Sequence, residues 1–138
     1  MNRLDLILKS HPGHAETQHP GWLACLEACL SCAQVCRSCA DACVAEAKGD
    51  NLTPCVRRNM DCAAICDATA QVLSRTSQPD WKVVTVLLQA CAAACGSCAT
   101  ECEHHAKMME HCRVCAEACR ECEAACSALA PKAKSCCS

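Results

Sequence analysis

The chain has no phenylalanine and no tyrosine, and Trp22 and Trp81 are its only aromatic side chains. A chain of 138 residues is normally one domain, and a domain buries large side chains to offset the entropy of ordering it. Bulk is scarce here. Among the hydrophobic residues, 20 are Cys and 25 are Ala, which leaves 27 Val, Ile, Leu, Met and Trp. An excess charge of either sign is also missing. The 13 Lys and Arg stand against 15 Asp and Glu, the net charge is −2, and the basic residues are scattered. With almost nothing to stack on bases, the composition argues against a nucleic-acid partner. No run of about 18 residues is uniformly apolar and uncharged. The N-terminal stretch Met1 to Lys9 carries Asp5 inside an apolar run too short for a secretory core. The expectation is a cytoplasmic protein that neither spans a membrane nor binds one.

What the chain has is cysteine, 20 of 138 residues, well above the roughly 8–10% at which a short chain already stands out. In a reducing compartment that density points to metal rather than to disulfides.

Residues 1–21 join a short apolar piece to His11-Pro12-Gly13-His14 and His19-Pro20-Gly21, a short helical or loop segment before regular structure begins near residues 17 to 22. From Trp22 to Lys48 there is neither Pro nor Gly. Gly49-Asp50-Asn51 and Thr53-Pro54 then supply a C-cap glycine, an N-cap threonine and a proline at the first helical position. A second run reaches Thr76, and Ser77-Gln78-Pro79-Asp80 separates it from a third that starts at Trp81. The last run reaches Leu129. Pro131 is expected to end it and leave 131–138, with Cys136 and Cys137, as a frayed tail. The stretch His104 to His111 holds neither Gly nor Pro, so one helix of about 50 residues competes with two. Length decides: the first two runs are about 27 and 23 residues, and a break near 105 to 108 gives two more of about 25 and 22. The reading is an all-α, antiparallel up-down-up-down four-helix bundle over residues 22–130.

The cysteines are placed by helical geometry. Cys25, Cys29, Cys32, Cys36, Cys39 and Cys43 follow a 4-3-4-3-4 spacing that keeps every thiol on one narrow helix face. Cys55, Cys62 and Cys66 fit the same seam with Asn59 in the skipped place, so Asn59 should face inward. Cys91, Cys95, Cys98 and Cys102 repeat 4-3-4, and Cys112, Cys115, Cys119, Cys122 and Cys126 run 3-4-3-4. A four-helix bundle turns four such stripes toward one axis. An inert core would use Leu at those positions. A disulfide framework would face too many mispairings in a filled seam, and a metallothionein-like coil does not fit an Ala-rich helical chain.

Electrostatics separates the metals. Four thiolates around one zinc keep two negative charges, so several such sites in one dry core accumulate charge. An iron–sulfur cluster has the same anionic character and usually takes its ligands from loops. Cu(I) is soft, matches thiolate and neutralises it one for one, so many Cu(I) ions fit a core at about one per thiol. Zinc or another soft-metal sink is the alternative. A copper chaperone would present one exposed two-cysteine site. A thiol redox protein would single out one low-pKa pair.

In this topology one bundle end collects Trp22, Thr69, Leu73, Val84, Leu87, Leu88 and Leu129, which should seal it. The other collects Cys43, Cys55, Cys102 and Cys112 beside a turn carrying His104, His105, Met108, Met109 and His111. Metal is expected to enter there. Phase places His105 and Met109 inward and His104 outward, and His11, His14 and His19 read as loop residues. Helix 1 also has an apolar back face, Leu23, Leu26, Leu30 and Val44, for which Leu4, Leu6, Ile7 and Leu8 or a second subunit would be cover.

Cys-X3-Cys-X2-Cys seams on all four helices, over residues 22 to 130, resemble the bacterial copper storage protein family. With no twin-arginine signal, the chain is similar to the cytosolic branch. The resemblance implies reversible sequestration of many Cu(I) ions, a homotetramer, no catalysis and a histidine-lined mouth. It carries the ligand role to the eighteen seam cysteines and an entry role to His104, His105 and His111. Cys136 and Cys137 fall outside the motif.

Overall fold

This computed structural model describes residues 3–12, 20–46 and 51–135. The expected Gly49 cap, His14, His19, Cys136 and Cys137 lie outside the described residues. Five helices form: α1 (Arg3–Ser10), α2 (Pro20–Glu46), α3 (Thr53–Leu73), α4 (Trp81–Glu103) and α5 (Glu110–Ser135). The last four build the bundle. Its neighbouring pairs are α2 with α3, α3 with α4, α4 with α5 and α5 with α2, the square of an up-down-up-down arrangement. Among the described residues there is no strand.

The breaks fall where the local chemistry puts them, with two corrections. Thr53 is the first residue of α3 rather than its cap: Leu52 holds the N-cap position without a side-chain bond, and Asn51 Oδ1 accepts from Thr53 N at 3.2 Å. Nor does Pro131 stop α5, which runs on to Ser135. A proline gives up one i→i−4 bond, and the backbone here continues past that loss for one further turn. Asp80 caps α4, its carboxylate accepting from Lys82 N at 3.1 Å and Val83 N at 3.4 Å. Ahead of it Gln78 takes a left-handed φ of 51°.

The turn between α4 and α5 forms without Gly or Pro because its backbone tightens. His104 N, His105 N and Ala106 N donate to Glu101 O, Cys102 O and Glu103 O, the three-residue bonding that closes a helix end. The reversal thus falls at 104–109, where matching the helix lengths put it.

The core is a column of sulfur closed at one end by carbon. All eighteen seam cysteines are buried. At the far end Trp22, Leu73, Val84, Leu88 and Leu129 are buried, and Leu87 is half-buried. Trp22 Nε1 donates to Leu73 O at 2.8 Å, and its ring meets Trp81 edge-on with centroids 5.7 Å apart. That arrangement satisfies the one polar atom of a buried indole. By length and composition α2 and α4 could cross a bilayer, yet the thiol seams that make them apolar point into the bundle. The back face of α2 is only partly covered: Leu26 is buried and Leu8 of α1 packs on the core, while Leu30 and Val44 stay exposed.

Candidate metal centre

Each helix contributes its stripe to one axial column, and the sulfurs meet across helices as closely as within them. Cys25 Sγ lies 3.5 Å from Cys126 Sγ, Cys32 Sγ 3.8 Å from Cys62 Sγ, and Cys36 Sγ 3.6 Å from Cys119 Sγ. All eighteen are free thiols. Among the described residues, sets of four sulfurs within 4.8 Å of one another include Cys29, Cys91, Cys122, Cys126; Cys32, Cys66, Cys95, Cys122; Cys32, Cys36, Cys62, Cys119; and Cys36, Cys98, Cys115, Cys119. The sets overlap. Cys32, Cys36, Cys119 and Cys122 each belong to two of them, so this is no series of separate tetrahedral cages. It is a continuous array in which a sulfur can bridge two ions of low coordination number.

Asn59 does face inward. Its Oδ1 accepts from the thiols of Cys98 at 3.0 Å, Cys115 at 3.2 Å and Cys102 at 3.6 Å, and its Nδ2 donates to Cys55 Sγ at 3.9 Å. The one oxygen in the seam gathers thiols from α4 and α5, which satisfies a buried amide without a charge.

At the turn end another set joins Cys39, Cys43 and Cys112 to His111. His111 Nδ1 lies 3.5 Å from Cys39 Sγ and 3.6 Å from Cys112 Sγ. Its Nε2 stands 3.5 Å from Glu46 Oε2, near enough for charge attraction but without hydrogen-bond alignment. The other turn residues are placed differently. His105 is half-buried and pairs with Glu101 at 3.2 Å, and His104 and Met108 are exposed. Met109 is half-buried against the core. Glu46 is the residue the sequence reading passed over. It stands three positions beyond Cys43, the next step of the α2 seam.

Burial pushes the Cys43 and Cys112 thiols above their ordinary range. Hydrogen bonds from Cys102, Cys115 and Cys55 pull Cys39 down, and His111 contributes further. At His111 burial opposes the imidazolium, but the hydrogen bond with Cys39 and the charge of Glu46 raise its pKa overall.

A family model described as copper storage protein matches residues 18–131. The chain belongs to the copper storage protein family. A solved structure of the Streptomyces lividans copper storage protein loaded with ten copper equivalents is 48% identical, with a TM-score of 0.87, over 93% of this chain and 98% of that one. Another, described as a cytosolic copper storage protein from the same organism with five coppers, is 54% identical, with a TM-score of 0.78, over 80% and 92%. The Cu(I)-bound copper storage protein BsCsp3 is 32% identical, with a TM-score of 0.71, over 80% and 98%. A comparison with the curated proteins gives no match. The family's helical bundle is the fold described above, and the thiol column lies within the matched residues.

One outcome follows from this geometry. Asn59→Ala leaves three thiol donors without their acceptor, so reduced, metal-free protein should lose about 1–3 kcal/mol in urea denaturation; an unchanged midpoint would contradict the bridging role.

Proposed function

We propose that the protein stores Cu(I) reversibly in the cytoplasm and protects against copper toxicity, using the eighteen seam cysteines as ligands at about one ion per thiol. The observation that carries this is the overlap of the four-sulfur sets. Shared sulfurs suit bridging thiolates and monovalent ions, whereas zinc sites that share ligands would leave uncompensated charge in the core. The copper-loaded relatives support the same metal. His111, with Cys39, Cys43 and Cys112, is the first station of the column, and Asn59 offers an oxygen midway. His104, His105 and Met109 serve the approach rather than the store.

Helices already in register place the ligands before metal arrives, unlike a finger that folds around its ion. The protein is a store and carries out no catalytic reaction. A homotetramer fits the exposed apolar residues left on two helices, Leu30 and Val44 on α2 and Val83 and Val86 on α4. No nucleic acid or membrane enters the proposal.

Anaerobic titration of fully reduced protein with Cu(I) against a strong chelator tests it, with metal and thiol counted after gel filtration. Uptake of about one Cu(I) per seam cysteine before the chelator takes any is expected. Zinc, titrated in parallel, should saturate far lower. Saturation with copper at one to about four ions would leave the core unexplained and favour a chaperone or zinc reading.

A further inference from the structure

Two of the four helix pairings are fastened differently from the other two. Residues one step past each seam position face α3 from α2 and α5 from α4. In the first pair Arg37 meets Asp67 at 2.6 Å, and Ala33 and Ala63 are buried on the same flanks. In the second, Arg120 grips both oxygens of Glu103, at 3.1 Å from Nε and 2.8 Å from Nη2. Its Nη1 donates to Glu123 Oε1 at 2.9 Å, and that carboxylate lies against Gly96, where a Cβ would stand 2.5 Å from Glu123 Oε2. Carbon and charge thus make two hairpins, α2 with α3 and α4 with α5. Across the hairpins sulfur meets sulfur. Cys25 touches Cys126 at 3.5 Å and Cys36 touches Cys119 at 3.6 Å, from α2 to α5. Cys62 touches Cys95 and Cys66 touches Cys91, both at 3.7 Å, from α3 to α4. The carbon flank of this junction is incomplete, since a groove of about 440 Å³ lies between α2 and α5 with Val35 and Val114 in its walls.

We infer that the metal-free bundle opens along this sulfur seam, the two hairpins parting as intact bodies about the 74–80 connection, and that Cu(I) bound across the seam holds it shut. The inference rests on the storage reading above. Neutral thiols are weak donors and weak acceptors, so the contacts that join the hairpins are feebler than those that build them. Openings below global unfolding follow such supersecondary units. An ion held by sulfurs of both hairpins adds S–Cu bonds across the seam, with the thiol protons released to solvent and copper remaining Cu(I). Opening must break those bonds, so copper stabilises the closed form by mass action. The copper content thereby sets how often the column meets solvent: an empty store opens and a filled one stays closed.

Labelling of the reduced, metal-free protein with N-ethylmaleimide under anaerobic conditions, counted by intact mass, tests the motion. A labelled seam sulfur cannot return to the packed column, so molecules should carry either no labels or nearly all of them. Val35→Ala removes apolar cover from the junction and should speed labelling about tenfold. Ala64→Gly with Ala93→Gly, at exposed positions on α3 and α4, weakens the helices but not the seam. Each glycine lowers the folded-to-unfolded ratio about fivefold, which the urea midpoint checks, yet labelling should stay within about twofold of the parental rate. Labelling that rises in step with that loss would make the opening global unfolding and overturn the hairpin motion, as would an unchanged rate for Val35→Ala. If the paired variant loses helicity, Ala64→Gly alone gives the same comparison. Molecules holding a few Cu(I) ions, resolved by native mass, should keep their free thiols unlabelled; labelling at the metal-free rate would overturn the closing role of copper. A low copper capacity in the parent protein would be a failure of the storage reading, separate from these labelling rates.

Discussion

Eighteen sulfurs in a dry column cannot carry eighteen negative charges, and the rest of the structure is arranged around that constraint. An isolated anion in an apolar interior costs far more than a thiol gains by ionising, so a buried group keeps its proton instead. The metal-free column is therefore neutral, held by weak thiol-to-thiol hydrogen bonds and by the packing of small polarizable side chains. Neutrality on loading demands a cation that replaces each proton singly. A monovalent soft ion meets that demand at every position, and a dication meets it only if half the charge is balanced elsewhere.

Given a core of small side chains, the fold depends on the ends and flanks for what the middle lacks. Trp22, Leu73, Leu88 and Leu129 supply bulk at one end, with the indole N–H tied to Leu73 O so that no polar group is lost there. Arg37 and Arg120 fasten helix pairs from outside, where such bridges are worth little individually but leave the interior free of charge. The same logic explains Asn59. An amide is the most polar group the column tolerates, because it organises thiols from two other helices without adding a charge.

The seam was legible because helical phase is arithmetic. The spacing 4-3-4 placed all eighteen cysteines and Asn59 inside, and the stripes extended past Cys66 and Cys126 named Thr69, Leu73 and Leu129 as the sealed end. Comparable extension at the other end, from Cys43 to Glu46 and from Cys55 back to Leu52, would have shown a carboxylate beside His111 and a leucine buried at that end. Other features were not available to a reading of residue types. The turn after α4 is made by backbone bonds that any sequence could form, and the helical course past Pro131 departs from that residue's usual effect. Phase alone also placed His105 inward; Glu101, in the last turn of α4, holds its ring at the rim.

The column has two unlike parts: Cys39, Cys43 and Cys112 with His111 at the turn end, and the shared sulfurs deeper in. Every step exchanges one proton for one Cu(I), and that exchange is the core of the account. Anaerobic potentiometry during loading measures it directly. About one proton released per Cu(I), constant until the column is full, is the predicted result. Far fewer protons than coppers would mean that the sulfurs are not displacing protons to bind, and that the neutral thiol column is wrong.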